Sequence, residues 1–199
     1  MLVGNSSRLA SYTCTDPKSL VRAVFGNQHR LFRSIPAGVD GDTDGNFYGT
    51  TGYGGLNNEG TIFSITPGGA LTVLHSFSSN EGAHPIAGLL EDTDGSFYGT
   101  TTAGGRFHWG TIFRFSAGLG PFVKTLPTSG KVGSVVKILG SNLTGATSIT
   151  FNDTPVAAFT VNSTGSAIST TVPTGATTGK VQVVTPTGTL SSNVTFRVR

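Results

Sequence analysis

The 199-residue sequence contains one cysteine, Cys14. A lone thiol excludes an intramolecular disulfide and any cysteine-based metal cluster. Charge is scarce as well: Asp, Glu, Lys and Arg make up 12% of the chain, with a net charge of +3. The densest basic group, Arg22, Arg30 and Arg33, lacks the interleaved aromatics that track a nucleic-acid backbone. Nucleic acid is therefore not an expected partner. No apolar run approaches the ~20 residues needed to cross a bilayer, so no membrane span is expected. The opening residues 1–8 have neither the basic start nor the apolar stretch of a signal peptide, and any export signal is expected in a longer parent or a removed segment. Sustained helical periodicity is missing too.

What the chain has instead is 29 glycines and abundant Thr and Ser. Short β-branched and aromatic runs sit between Gly, Pro, Asn and Asp clusters, a pattern that predicts an all-β protein.

An internal repeat with a period of 50 organises the first part. Asp42-Thr-Asp-Gly-Asn-Phe-Tyr-Gly-Thr-Thr51 returns as Asp92-Thr-Asp-Gly-Ser-Phe-Tyr-Gly-Thr-Thr101, and Gly54-Gly55 returns as Gly104-Gly105. Gly60-Thr-Ile-Phe63 returns as Gly110-Thr-Ile-Phe113. Such a period marks a supersecondary unit that stacks on its neighbours. Each unit divides into four short strands, at 87–91, 96–101, 61–66 and 71–77, which matches a propeller-type blade. About two blades are expected.

Differences between the copies predict the buried face, because strand side chains alternate. Leu90 stands where the first copy has Asp40, and Arg114 where it has Ser64. Leu89, Phe63, Ile65, Phe113 and Phe115 are therefore expected in the core, with positions 64, 90 and 114 facing outward. Carried backwards, the register sets Tyr12 opposite Ile62, Pro17 opposite Pro67 and Val21 opposite Leu71. Residues 1–35 thus read as a degenerate half-repeat or an unrelated leader.

The pattern Asp-Gly-Asn-Phe-Tyr-Gly-Thr-Thr, Gly-Gly, Gly-Thr-Ile-Phe, Leu-Thr-Val-Leu-His-Ser-Phe resembles the GloVer tandem repeat of large bacterial surface-anchored proteins over residues 36–118. The resemblance implies export and surface anchoring, and supplies no catalytic residues.

From residue 120 aromatics thin out and the repeat stops. Strands are expected near 122–126, 134–139, 147–152, 156–161, 167–172, 180–185 and 194–198, separated by Gly-, Pro- and Asn-containing turns, as in an immunoglobulin-like β-sandwich. Pro127-Thr-Ser-Gly130, Val136-Lys-Ile-Leu-Gly-Ser-Asn-Leu143, Thr174-Gly-Ala-Thr-Thr-Gly179 and Val181-Gln-Val-Val184 resemble an IPT/TIG domain. Three segments are thus expected: 1–35, a repeat segment at 36–119, and an IPT/TIG-type domain at 120–199. Such a fold is shared by very different proteins and does not decide function.

Asp40, Asp42 and Asp44 fit the start of a calcium loop, in which alternating carboxylates supply oxygen ligands. The glutamate expected at the twelfth position is replaced by Thr51. A hairpin turn accounts for the same residues, with Asp bonding nearby backbone and Gly taking positive φ. The histidines His29, His75, His84 and His108 occur in unrelated contexts, and no Gly-x-Ser-x-Gly or His-x-x-x-His is present. Glu91, Asp92 and Asp94 are neighbours in one turn and are not placed to flank a glycosidic bond. No enzyme is expected. Five Asn-x-Ser/Thr sequons follow from a Thr-rich composition and carry no functional weight.

The loop between Gly-Gly and Gly-Thr-Ile-Phe is the expected recognition surface, because its residues differ between the copies within an otherwise matched frame. Leu56-Asn-Asn-Glu59 becomes Arg106-Phe-His-Trp109. Phe107 and Trp109 offer stacking faces for a sugar, and Arg106 and His108 offer hydrogen bonds. The alternative is a turn whose aromatics cap the core. The leading expectation is an extracellular or cell-surface scaffold that binds a glycan or protein. Its rivals are a subunit that self-assembles with identical subunits or neighbouring repeats, and an accessory fragment of a larger carbohydrate-active enzyme.

Overall fold

The computed structural model describes residues 44–199. Those residues are all-β, without a helix, and form several sheets, none closed into a barrel. The half-repeat or leader expected at 1–35, and the first strand expected for the first repeat, lie outside the described residues.

The first repeat supplies β1 (Phe47–Thr51), β2 (Thr61–Ile65) and β3 (Leu71–Ser76), and the second supplies β4 (Leu90–Glu91), β5 (Ser96–Thr100) and β6 (Ile112–Ser116). Each set forms one antiparallel sheet, in the orders β1-β2-β3 and β4-β5-β6. The four-strand unit is therefore seen in threes. In the second copy the chain leaves after β6 toward residue 122 and never returns as a β3 equivalent.

The repeated residues do repeated work. Asp44 Oδ1 accepts the Asn46 amide (2.9 Å) and Asp94 Oδ1 that of Ser96 (2.8 Å), while Gly45 and Gly95 take φ near +80° (80° and 81°) to close each turn. The Thr51 and Thr61 hydroxyls pair at 2.8 Å, and Thr101 and Thr111 at 3.0 Å. Each pair ties the end of one strand to the start of the next. Gly49 lies opposite Phe63, and Gly99 opposite Phe113.

The two repeat sheets stack face to face. Tyr48 meets Phe97 at 4.7 Å between ring centroids, and Phe77 meets Phe113 at 5.0 Å. Thr50 Oγ1 donates to Ala87 O (2.9 Å) across the same seam. Phe63 and Ile65 are buried, as the alternation predicts, and Leu90 and Arg114 are exposed, whereas Ser64, expected outward, is half-buried and pairs with Tyr48 on the face that the second repeat covers. Leu89, Phe113 and Phe115 are only half-buried, against the expectation that they are core. The reason is position: β6, which carries the two phenylalanines, and β4, which Leu89 precedes, are the edges of their sheet, whereas β2 lies between two strands.

Beyond residue 122 come β7 (Val123–Leu126), β8 (Ser129–Gly130), β9 (Val135–Gly140), β10 (Ser148–Phe151) and β11 (Thr154–Pro155). They are followed by β12 (Phe159–Val161), β13 (Ala167–Thr171), β14 (Val181–Thr185), β15 (Gly188–Ser191) and β16 (Arg197–Val198). Two four-stranded sheets, β12-β13-β9-β7 and β11-β10-β14-β15, share one core, and β8 pairs in parallel with β16. Val136, Ile138 and Ile168 face Ile149, Phe151, Val181 and Val183 there, with Phe196 edge-on to Phe151 at 5.0 Å. The alternating burial of β9, β13 and β14 is the period-two pattern that one buried face requires.

The join between repeat and C-terminal sheets is tight. Phe122 is buried and its N–H donates to Thr93 O (3.0 Å). Thr93 Oγ1 and Ser141 Oγ pair at 2.9 Å, and Lys124 Nζ donates to Glu91 O (2.5 Å). A side chain at Gly95 would run into the carbonyls of Leu119 and Gly120.

Candidate functional site

Three loops gather at one end of the repeat sheets. Residues 52–60 follow β1, residues 102–110 follow β5, and residues 78–86 run between them. His84 N–H donates to Glu59 O (2.8 Å), and Ala83 N–H to Ala103 O (2.7 Å). Gly105 N–H donates to Ser79 O (2.7 Å), and the Ser79 hydroxyl donates to the Glu59 carboxylate.

The first and third loops share a backbone frame despite their different side chains. Asn58 N–H bonds Gly55 O (3.4 Å) and Gly60 N–H bonds Gly54 O (3.1 Å); His108 with Gly105 (3.1 Å) and Gly110 with Gly104 (3.0 Å) repeat both contacts. Asn58 and His108 both take positive φ, at 57° and 61°. The frame therefore comes from the glycines and the backbone, leaving four positions free to vary.

In the third loop those positions are Arg106, Phe107, His108 and Trp109, and all four are exposed. Phe107 is 72% exposed and Trp109 is 89% exposed, so neither caps the core. The Arg106 guanidinium lies over the Phe107 ring, 5.3 Å from its centroid. The result is a cationic edge beside two aromatic faces, which suits a ligand with both hydroxyls and apolar C–H faces.

Tyr53 and His84 add to this end and were not singled out by the sequence. Their rings meet at 4.7 Å, tilted by 49°, and His84, with φ at 56°, holds its Nδ1 2.7 Å from Gly52 O. The available signal was a copy difference, Tyr53 against Ala103, next to the Gly-Gly pair.

The other sequence candidates sit elsewhere. Asp40 and Asp42 lie outside the described residues. The Asp44 carboxylate accepts hydrogen bonds from Asn46 and from the Tyr48 hydroxyl (2.9 Å), which is turn chemistry. Asp94 has its carboxyl held below the usual carboxylate range, chiefly by the Ser96 amide and then by Arg114, whose Nη2 donates at 2.8 Å. His75 Nε2 lies 3.0 Å from Glu81 Oε1, and its ring stands edge-on to Phe77. Among the described residues no three His, Cys, Asp or Glu side chains converge as a metal site would need. Nor is any helix there long and apolar enough to cross a membrane.

No curated protein matches the chain. Among solved structures it is similar to an SGBP-B from a complex xyloglucan utilization locus in Bacteroides uniformis, at 19% identity and TM-score 0.35, over 76% of this chain and 44% of that one. It is also similar to a Bacteroides ovatus mixed-linkage glucan utilization locus SGBP-B in complex with mixed-linkage heptasaccharide, at 18% identity and TM-score 0.33, over 65% and 39%. A third is a gamma-CGTase from Alkalophilic bacillus clarkii, at 15% identity and TM-score 0.31, over 90% and 28%. The chain spans 28–44% of the length of these structures. The Gloeobacter/Verrucomicrobia repeat, in contrast, matches residues 11–190, reaching past both ends of the 36–118 window. With most of its length matched, and with the repeated turns, threonine pairs and glycines each doing the same physical work twice, the chain belongs to the Gloeobacter/Verrucomicrobia repeat family.

Proposed function

We propose that the chain is a non-catalytic binding module of a bacterial surface or secreted protein, whose propeller-type repeats present a glycan-binding loop at residues 106–109. In this reading residues 120–199 form an immunoglobulin-like spacer of the IPT/TIG type. The observation that carries the proposal is the exposure of Phe107 and Trp109 on a loop whose backbone is already hydrogen-bonded into shape. Large apolar side chains on a surface loop lose solvation free energy unless something covers them, and a pre-shaped loop loses little entropy when it binds. Sugar rings present C–H faces that stack on aromatics, while Arg106 and His108 hydrogen-bond the hydroxyls.

The spacer assignment is supported by the C-terminal core, whose buried apolar residues all lie between Val123 and Phe196. A non-catalytic role is supported by the carboxylates of the 91–95 turn, where Asp92 and Asp94 are engaged with Thr93, Ser96 and Arg114. Surface display rests on the family resemblance.

A glycan array that includes xyloglucan and mixed-linkage glucan oligosaccharides tests the reading. The chain should bind, and Trp109→Ala and Phe107→Ala should abolish the signal with the melting temperature unchanged. No array signal from the unaltered chain would remove the glycan-binding role.

A further inference from the structure

The two repeats differ most on one face. In the first repeat Tyr48, Thr50 and Ile62 point to the same side of the sheet, and all three are buried because the second repeat lies on them. Their counterparts in the second repeat are Tyr98, Thr100 and Ile112. Ile62 is 1% exposed and Ile112 is 82% exposed; Thr50 is buried and Thr100 is exposed. Leu90, paired with Tyr98, is 67% exposed on that side. One side of this sheet therefore presents Leu90, Thr100 and Ile112 to solvent around a half-buried Tyr98, with Arg114 at the margin turned toward Asp94.

We infer that this face is a docking site for a further repeat of the same 50-residue pattern. The interface already formed between the two repeats is the template. There the incoming repeat lays Phe97 on Tyr48 and brings Ala87 O to the Thr50 hydroxyl. Repeating the same step places a partner phenylalanine on Tyr98 and a partner carbonyl at Thr100, and covers Ile112. The partner must present an aromatic face not yet stacked. Among the described residues a second copy of this chain offers none: its Phe97 and Phe113 are already against Tyr48 and Phe77, and its Phe63 and Ile65 are buried. Units that leave a face uncovered in one chain are completed by neighbours of the same kind. This inference is independent of the glycan-binding reading.

The test supplies the partner as a known sequence. In a Cys14→Ser background, Thr100→Cys places a thiol on the central strand of the sheet, so its reactivity reports the face and not the edge. In the otherwise unaltered chain it should react with Ellman's reagent as an exposed thiol. Inserting one further period, a second copy of residues 67–116 after Ser116, provides a repeat at high effective concentration. The introduced thiol should then react at least about ten-fold more slowly, because a covered thiol reacts only through local opening. Equal reactivity in both chains would overturn the inference. So would protection of that thiol before the insertion, which would mean that the chain covers this face itself. If the extended chain fails to fold, sedimentation of the unaltered chain decides. It should be monomeric at micromolar concentration, whereas a dimer dissociated by Ile112→Lys would assign the face to a second copy and overturn the inference.

Discussion

The ring of Phe63 occupies the space where a side chain on Gly49 would begin: a Cβ there would stand 2.7 Å from Phe63 Cζ. Phe113 covers Gly99 in the same way. The cross-strand pairing makes the glycine of Tyr-Gly-Thr-Thr and the phenylalanine of Gly-Thr-Ile-Phe a single packing unit. Gly49→Ala should therefore cost about 1–3 kcal/mol through overpacking, read by denaturant unfolding. Gly99→Ala should cost less, since Phe113 lies on an edge strand and can move aside. Equal losses would mean that strand position has no influence.

Ile62 and Ile112 offer a matched pair of truncations. Ile62→Ala removes a buried side chain and should cost about 2–5 kcal/mol, the usual range for such a cavity. Ile112→Ala should fall within about 0.5 kcal/mol of the unaltered chain, as surface substitutions do. Both values come from the same urea titration. A large loss at Ile112 would show that its face is covered in solution.

Trp109→Ala should leave stability within about 0.5 kcal/mol of the unaltered chain, because the indole packs on little of the protein. Trp109 is the sole tryptophan, so intrinsic fluorescence of the unaltered chain should also be red-shifted and readily quenched by acrylamide. A blue-shifted, protected spectrum would contradict the exposed loop.

Acid should act partly through Asp94. Its carboxyl is held below the usual range first by the Ser96 amide, with Arg114 adding to the effect. A depressed folded-state value stabilises the fold above the ordinary carboxylate range, and that contribution is lost as pH falls through the depressed value. The melting temperature should therefore decline on acidification into and below the ordinary Asp range. Asp94→Asn should flatten that part of the curve. An unchanged pH profile in the variant would remove Asp94 from the acid response.

Much of this was legible because each repeated residue has a local task. Asp-Gly turns, paired threonines and alternating strand faces depend on neighbours within the same unit, so two copies in one sequence expose them. Burial at Phe113, Phe115 and Leu89 was not legible, because it depends on which strand or repeat arrives next. Strand β15 was missed for another reason. Pro186-Thr187-Gly188 reads as a turn with no following strand, yet Leu190 turns inward against Val183 and completes the sheet edge. At the site, the contrast between 56–59 and 106–109 points to the variable loop, but the Tyr53–His84 ring contact joins residues far apart in sequence and leaves only a faint trace.

The anchoring of Phe122, Lys124 and Ser141 to the 91–95 turn has a mechanical consequence. A pull applied at the C-terminal end enters the repeat sheets through β7 and that turn, with no slack segment to stretch first. Traction on the C-terminal sheets would therefore load the repeat sheets directly through these contacts.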